Sequence, residues 1–106
     1  MSQFSIEVTP QEAHLDASEG RGVLVDVREP WEWAAGAAAG AVRLSLHDLP
    51  QRHTELPRGQ RVLCICASGN RSRAAAEFLR TQGYDALSVA GGTTAWQLHR
   101  LPIERA

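Results

Sequence analysis

Val62-Leu63-Cys64-Ile65-Cys66-Ala67-Ser68-Gly69-Asn70-Arg71-Ser72 is the stretch on which the fold turns. Its first half, Val62 to Cys66, is an unbroken apolar run of strand length, as in a parallel sheet buried on both faces. Its end opens a helical pattern, Ser72 to Gln82. There Ala75, Phe78, Leu79 and Gln82 recur at three- and four-residue steps and predict one buried stripe. The loop between is built of small, turn-prone residues, and Gly69 and Asn70 are types that tolerate positive φ.

A strand feeding a helix through a tight loop is a unit of an α/β domain. In open parallel sheets, ligands bind beyond the carboxyl ends of the strands, where Cys66 stands. Successive N–H groups curving into a helix N-terminus favour an anion at their centre. Here that anion is the Cys66 thiolate or an anionic adduct on it. Free cysteine titrates near ~8.5, and a helix N-terminus with nearby cations lowers that into the reactive range. Arg71 and Arg73 are the cations within local reach. Core packing accounts for a buried cysteine, but not for the Ala-Ser-Gly-Asn-Arg that follows Cys66. The residues predict a nucleophilic Cys66. Cys64, inside the strand, is expected to be a structural thiol.

Working outward, Gly83 stops the helix, Ala86 to Val89 forms a last strand, and Gly91-Gly92 makes a tight turn. Thr93 to His99 is a final helix with Trp96 packed, ended by Pro102. Upstream, Leu56-Pro57-Arg58-Gly59 is a turn. Ser45 is a cap for a short helix through His53, interrupted early by Pro50. Gly36 to Gly40 is a small-residue connector into a short strand, Ala41 to Leu44. Pro30 to Ala35 is a helical piece whose Trp31 and Trp33 are expected in the core.

Val23 to Val27 is the second clear strand. Asp26 interrupts it and must lie near its end or be paired, because an unpaired buried charge is costly. Asp26 is read as a supporting strand-end carboxylate, with orienting the loop as the alternative. Arg28 is read as a supporting residue ion-paired with Glu29, Glu32 or Glu77, with substrate binding as the alternative. At the start, Phe4 to Val8 predicts a first strand. Thr9-Pro10-Gln11-Glu12 carries a capping box with proline at the first helical position. Strands alternating with helices predict a single α/β domain over 1–106 with a mostly parallel sheet.

A net charge of -1 over 106 residues makes no case for nucleic acid or an anionic membrane surface as partner. No run approaches the ~20 apolar residues of a bilayer span, and no basic-then-apolar leader opens the chain. The expectation is a cytoplasmic protein with free thiols, since the C-x-C spacing suits a disulfide poorly. No zinc-type spacing is present, and His14, His47, His53 and His99 form no ligand set, so no metal or organic cofactor is expected.

Three motifs resemble one family. Cys66-Ala67-Ser68-Gly69-Asn70-Arg71-Ser72 resembles the active-site loop of rhodanese-like sulfurtransferases. Val25-Asp26-Val27-Arg28-Glu29 is similar to that family's strand-end motif, and Gly91-Gly92-Thr93-Thr94-Ala95-Trp96 to its C-terminal motif. Their order and spacing agree from Val23 to Trp96, and the chain resembles a single-domain bacterial member. The resemblance implies a three-layer rhodanese-like fold, with a five-stranded, mostly parallel sheet flanked by helices. It also implies a ping-pong reaction through a Cys66 persulfide. The donor would be thiosulfate or another persulfide, and the acceptor a thiol, cyanide or a protein, with a cysteine desulfurase as a candidate partner. The amides of Ala67, Ser68, Gly69, Asn70, Arg71 and Ser72 would hold the outer sulfur, and Arg71 would close the loop and supply charge. The family often has Arg after the cysteine; here Ala67 removes one cation from the mouth. The connector, usually Gly-His-Ile-Pro-Gly-Ala, is here Gly36-Ala37-Ala38-Ala39-Gly40-Ala41.

Two other readings stand beside this one. One is a partner-dependent sulfur carrier with little turnover alone. The other is a cysteine phosphatase or arsenate reductase, which also cradles an oxyanion over a thiolate. Tyrosine-phosphatase-like sites place five residues between Cys and Arg and usually His before the Cys. Here four residues separate Cys66 from Arg71, and Ile65 precedes the cysteine. The shorter ring suits a sulfur atom better than a phosphoryl group.

Overall fold

The computed structural model describes residues 5–105. In chain order the elements are β1 (Glu7–Val8), α1 (Pro10–Ser18), β2 (Gly22–Asp26), α2 (Pro30–Trp33), β3 (Ala37–Ala38), β4 (Val42–Arg43) and α3 (Leu49–Arg52). A 3-10 turn (His53–Glu55) is followed by β5 (Arg61–Ile65), α4 (Asn70–Thr81), β6 (Ala86–Val89), α5 (Gly92–Leu98) and β7 (Ile103–Glu104). Five strands form one sheet in the order β1-β6-β5-β2-β4, with all pairings parallel. The apolar run of β5 thus lies at the centre, between β2 and β6, where strands buried on both faces are expected.

Side chains alternate across the sheet and build two cores. On one face Val25, Val27, Val62, Cys64 and Cys66 pack with Ala75, Ala76 and Leu79 of α4. On the other, Leu24, Leu63, Ile65, Leu87 and Val89 pack with Ala13 of α1 and Trp96 of α5. Burying a side chain such as Leu79 or Ile65 contributes about 1.5–3 kcal/mol, so both helical layers are anchored through the central strands. Trp96 is fully buried, and its indole N–H donates to the Pro102 carbonyl at 2.7 Å.

The α1 start follows the capping box: the Glu12 amide donates to Thr9 Oγ1 at 3.1 Å, and the Thr9 amide to Glu12 Oε1 at 3.3 Å. Other elements depart from expectation. Phe4 lies outside the described residues, and the first strand is Glu7–Val8. The buried stripe of α4 is Ser72, Ala75, Ala76 and Leu79, with Phe78 at its edge and Gln82 exposed. Gln82 is the residue at which the helix ends, so it leaves the helical face. Pro50 does not interrupt a helix begun at Ser45. It sits in the first turn of α3, where its missing N–H has no intrahelical partner to lose. The connector holds β3, whose Ala37 and Ala38 pair antiparallel with Glu104 and Ile103 of β7.

Candidate active site

Cys66 is the first residue beyond β5 and is 1% exposed. The chain then turns through Ala67, Ser68 and Gly69 into α4. Gly69 is the residue before the helix and has φ 117°, a conformation glycine adopts without a Cβ clash. That turn folds the helix N-terminus back onto the sulfur. The amides of Gly69 and Ser72 both donate to Cys66 Sγ at 3.2 Å, and Ser72 Oγ lies 3.3 Å from it. Burial disfavours the thiolate. The Ser72 hydroxyl and the amides of Ser72, Gly69 and Ser68 outweigh burial and hold the thiol below its ordinary range. Among the described residues Cys64 has no such donors: burial, then the neighbouring Cys66 sulfur, push its thiol up to about 12. The two free cysteines thus differ in surroundings: Cys66 Sγ accepts from two amides, whereas Cys64 is enclosed within the strand.

The loop is tied down from behind by α5. The Thr93 amide donates to the Cys66 carbonyl at 2.7 Å, Thr93 Oγ1 to the same oxygen at 3.1 Å, and the Thr94 amide to the Ala67 carbonyl at 3.1 Å. Gly92 makes this approach possible: a Cβ there would stand 2.3 Å from the Cys66 carbonyl oxygen.

Arg71 does not point a free charge at the mouth. Its guanidinium binds both oxygens of Glu32 on α2, at 2.6 and 2.9 Å. The Glu32 carboxyl, which also accepts from the Glu29 amide, is lowered to about 2, chiefly by Arg71. Asp26 and Arg28 form a buried pair with each other. Arg28 Nη2 donates to Asp26 Oδ2 at 2.9 Å and to the Gly36 carbonyl at 2.7 Å, and its amide donates to Asp26 Oδ1 at 3.0 Å. The expected partners Glu29, Glu32 and Glu77 are engaged elsewhere or remote, because the chain turns sharply after β2 and brings Arg28 back over Asp26. The pair pins the start of the connector and makes no bond to Cys66. Trp31, expected in the core, is 74% exposed, because α2 is a single turn lying on the surface beside the loop.

Two partnerships behind the sulfur were not expected from the sequence. Glu32 was expected as a partner of Arg28 and instead holds Arg71. Ser88 offered a polar side chain at an inward position of β6, and its Oγ lies 2.7 Å from Ser72 Oγ. Among the described residues, no hydrogen bond runs to Sγ from the amides of Ala67, Asn70 or Arg71. A separate cavity of about 560 Å³ lies at the amino ends of the strands, among Asp16, Arg21, Arg58, Arg61 and Tyr84. It is remote from Cys66, and its arginines are occupied: Arg21 and Arg61 by Asp16, Arg58 by the Tyr84 ring.

The sequence matches the model of the rhodanese-like domain over residues 9–99. The chain belongs to the rhodanese-like domain family. A protein of Allochromatium vinosum named sulfurtransferase is 43% identical over 82 residues, covering 76% of this chain and 77% of that protein. The crystal structure of a rhodanese-related protein from Thermoplasma volcanium superposes with a TM-score of 0.85 at 30% identity, covering 92% of this chain and 96% of that one. A rhodanese-like domain protein from Staphylococcus aureus gives 0.77 at 31% identity, over 85% and 89% of the two chains. The parallel sheet flanked by helices is therefore the rhodanese-like fold, and Cys66 stands just beyond the carboxyl end of its central strand. No helix among the described residues is long and apolar enough to cross a membrane.

Proposed function

We propose that this rhodanese-like chain acts as one domain to transfer sulfane sulfur, with Cys66 as nucleophile and carrier. The observation that carries the reading is the thiol held by the Gly69 and Ser72 amides at 3.2 Å and kept below its ordinary range. The Cys66 thiolate attacks the outer sulfur of a donor. The donor's S–S bond breaks, and its electron pair leaves with the donor's thiolate, or with sulfite when the donor is thiosulfate. Cys66 then carries a persulfide. A thiol or cyanide attacks the outer sulfur, and the electron pair of the new S–S bond returns to Cys66.

The amides of Ala67, Asn70 and Arg71, which do not engage Sγ, are the donors we assign to the outer sulfur. Arg71 closes the loop through Glu32, while Asp26 and Arg28 support it by fixing the chain after β2. Ala67 and Ser68 are neutral, and the Arg71 charge is met by Glu32. This favours a persulfide donor over dianionic thiosulfate, and a desulfurase-borne persulfide fits the same chemistry. A reducing cytoplasmic setting suits both free thiols.

The test is thiocyanate formation from cyanide, with thiosulfate or an organic persulfide as donor. Turnover by the wild type, abolished in Cys66→Ser, is the expected result. Equal turnover in both proteins overturns the reading. Sulfur transfer only when a cysteine desulfurase is added assigns the chain as a dedicated carrier.

A further inference from the structure

Ser88 is fully buried in β6, a strand enclosed by β1 and β5. It is in register with Cys64 and with Glu7, so its side chain lies on the α4 face of the sheet. Packing alone asks for an apolar residue there, as Ala86 supplies two positions earlier. Its Oγ has one hydrogen-bond partner among the described residues, Ser72 Oγ at 2.7 Å. Ser72 Oγ in turn lies 3.1 Å from the Gly69 carbonyl oxygen and 3.3 Å from Cys66 Sγ.

The proton count decides the direction. Each hydroxyl has one proton. If Ser72 donated to Ser88, the Ser88 proton would have no acceptor, and a buried unsatisfied donor is expensive. Ser88 must therefore donate to Ser72. The single Ser72 proton then has two acceptors, the Gly69 carbonyl and the Cys66 sulfur. With Cys66 as a thiol, Ser72 donates to the carbonyl and accepts from both S–H and Ser88. With Cys66 as a thiolate, Ser72 donates to the sulfur and accepts from Ser88. Both states are fully satisfied, and only the Ser72 proton turns between them.

We infer that Ser88 is a positioning residue for the Cys66 thiolate, acting through Ser72: its hydroxyl proton, given to Ser72 Oγ, polarises Ser72 and aims the Ser72 proton at the sulfur. The inference rests on the reading of Cys66 as the nucleophile and adds its supporting hydroxyl chain. Few charged or titratable groups compete for that role. Cys64 lies on the same face of β5. Arg71 on α4 is held by Glu32 on α2, with Glu29 beside it. Asp26 on β2 is in register with Ile65, so it lies on the opposite face. β6 and α5 carry no charged residue.

The test is the pH profile of Cys66 alkylation by iodoacetamide, followed by intact mass in the absence of any sulfur donor. In Ser88→Ala the midpoint is expected to rise by about half a unit to one unit, the worth of one hydrogen bond. Ser88→Thr, which keeps the hydroxyl, is expected to restore the wild-type midpoint. In a Ser72→Ala background, Ser88→Ala is expected to shift nothing further, because its route to the sulfur is gone. An unmoved midpoint in Ser88→Ala overturns the inference, even if the protein unfolds more easily. So does an equal shift in the Ser72→Ala background, or failure of Ser88→Thr to restore. If Ser88→Ala does not fold, Ser88→Val, which has the shape of threonine without its hydroxyl, is read against Ser88→Thr with the same criterion. The alkylation midpoint is independent of sulfur transfer, so loss of the proposed activity and loss of this relay are told apart.

Discussion

Glu32 on α2 holds Arg71 on α4 by both guanidinium Nη atoms, at 2.6 and 2.9 Å, across 39 positions of sequence. This pair fastens the surface turn carrying Trp31 to the first turn of the helix that caps Cys66. It turns Arg71 from a free charge into a clasp. Bidentate geometry makes such a pair stronger than a single contact, while Arg71, 37% exposed, keeps it screened by solvent.

Glu32→Gln removes the charge and keeps the shape, and is expected to cost about 1 kcal/mol near neutral pH. The Glu32 carboxyl titrates at about 2 in the folded chain, against an ordinary 4.5. A depressed folded value means that the stabilisation is fully present above about 4.5 and is lost as pH falls towards 2. Urea unfolding of the wild type and Glu32→Gln should differ at pH 7 and converge near pH 2. A difference unchanged across that range would remove the ion pair as its cause.

The Asp26–Arg28 pair obeys a different rule, because both partners are buried. Arg28→Ala strands the Asp26 carboxylate among apolar side chains and frees the Gly36 carbonyl. The expected loss is about 3–5 kcal/mol, read as a fall in the urea midpoint. A loss within the range of a surface substitution would contradict the assignment.

Gly92→Ala tests how closely α5 backs the loop. Its φ is +58°, and the added Cβ would meet the Cys66 carbonyl oxygen at 2.3 Å and the Ala67 backbone at 2.6 Å. Destabilisation of about 2–4 kcal/mol is expected from clash and backbone strain. Sulfur transfer should fall more than tenfold in the fraction that folds, because the sulfur is displaced. Gly40→Ala is the control: φ is +81° with nothing within 4 Å, so it should cost about 1–2 kcal/mol of strain and leave transfer unchanged.

Much of the fold was legible where one local rule decided the outcome. The apolar run before Cys66 marked the central parallel strand, Thr9 and Glu12 marked a helix start, and Gly69 marked the turn that presents amides to the sulfur. What escaped depends on partners distant in sequence or on elements too short to carry a period. Ala37 and Ala38 form a strand only because Ile103 and Glu104 meet them, and two residues show no alternation. Arg71 was legible as a cation beside the site, but its clasp by Glu32 exists only once α2 lies over α4. Ser88 was visible as a lone hydroxyl in an apolar strand. Its meaning required the register that sets β6 beside β5 and under Ser72.

Cys66 is the proposed carrier of the sulfur in transit. Intact mass after incubation with an organic persulfide or thiosulfate, then after cyanide, tests it most directly. One added sulfur atom is expected on the wild type, absent from Cys66→Ser and removed by cyanide. The same added mass on Cys66→Ser, or none on the wild type with either donor or with a desulfurase present, would contradict it.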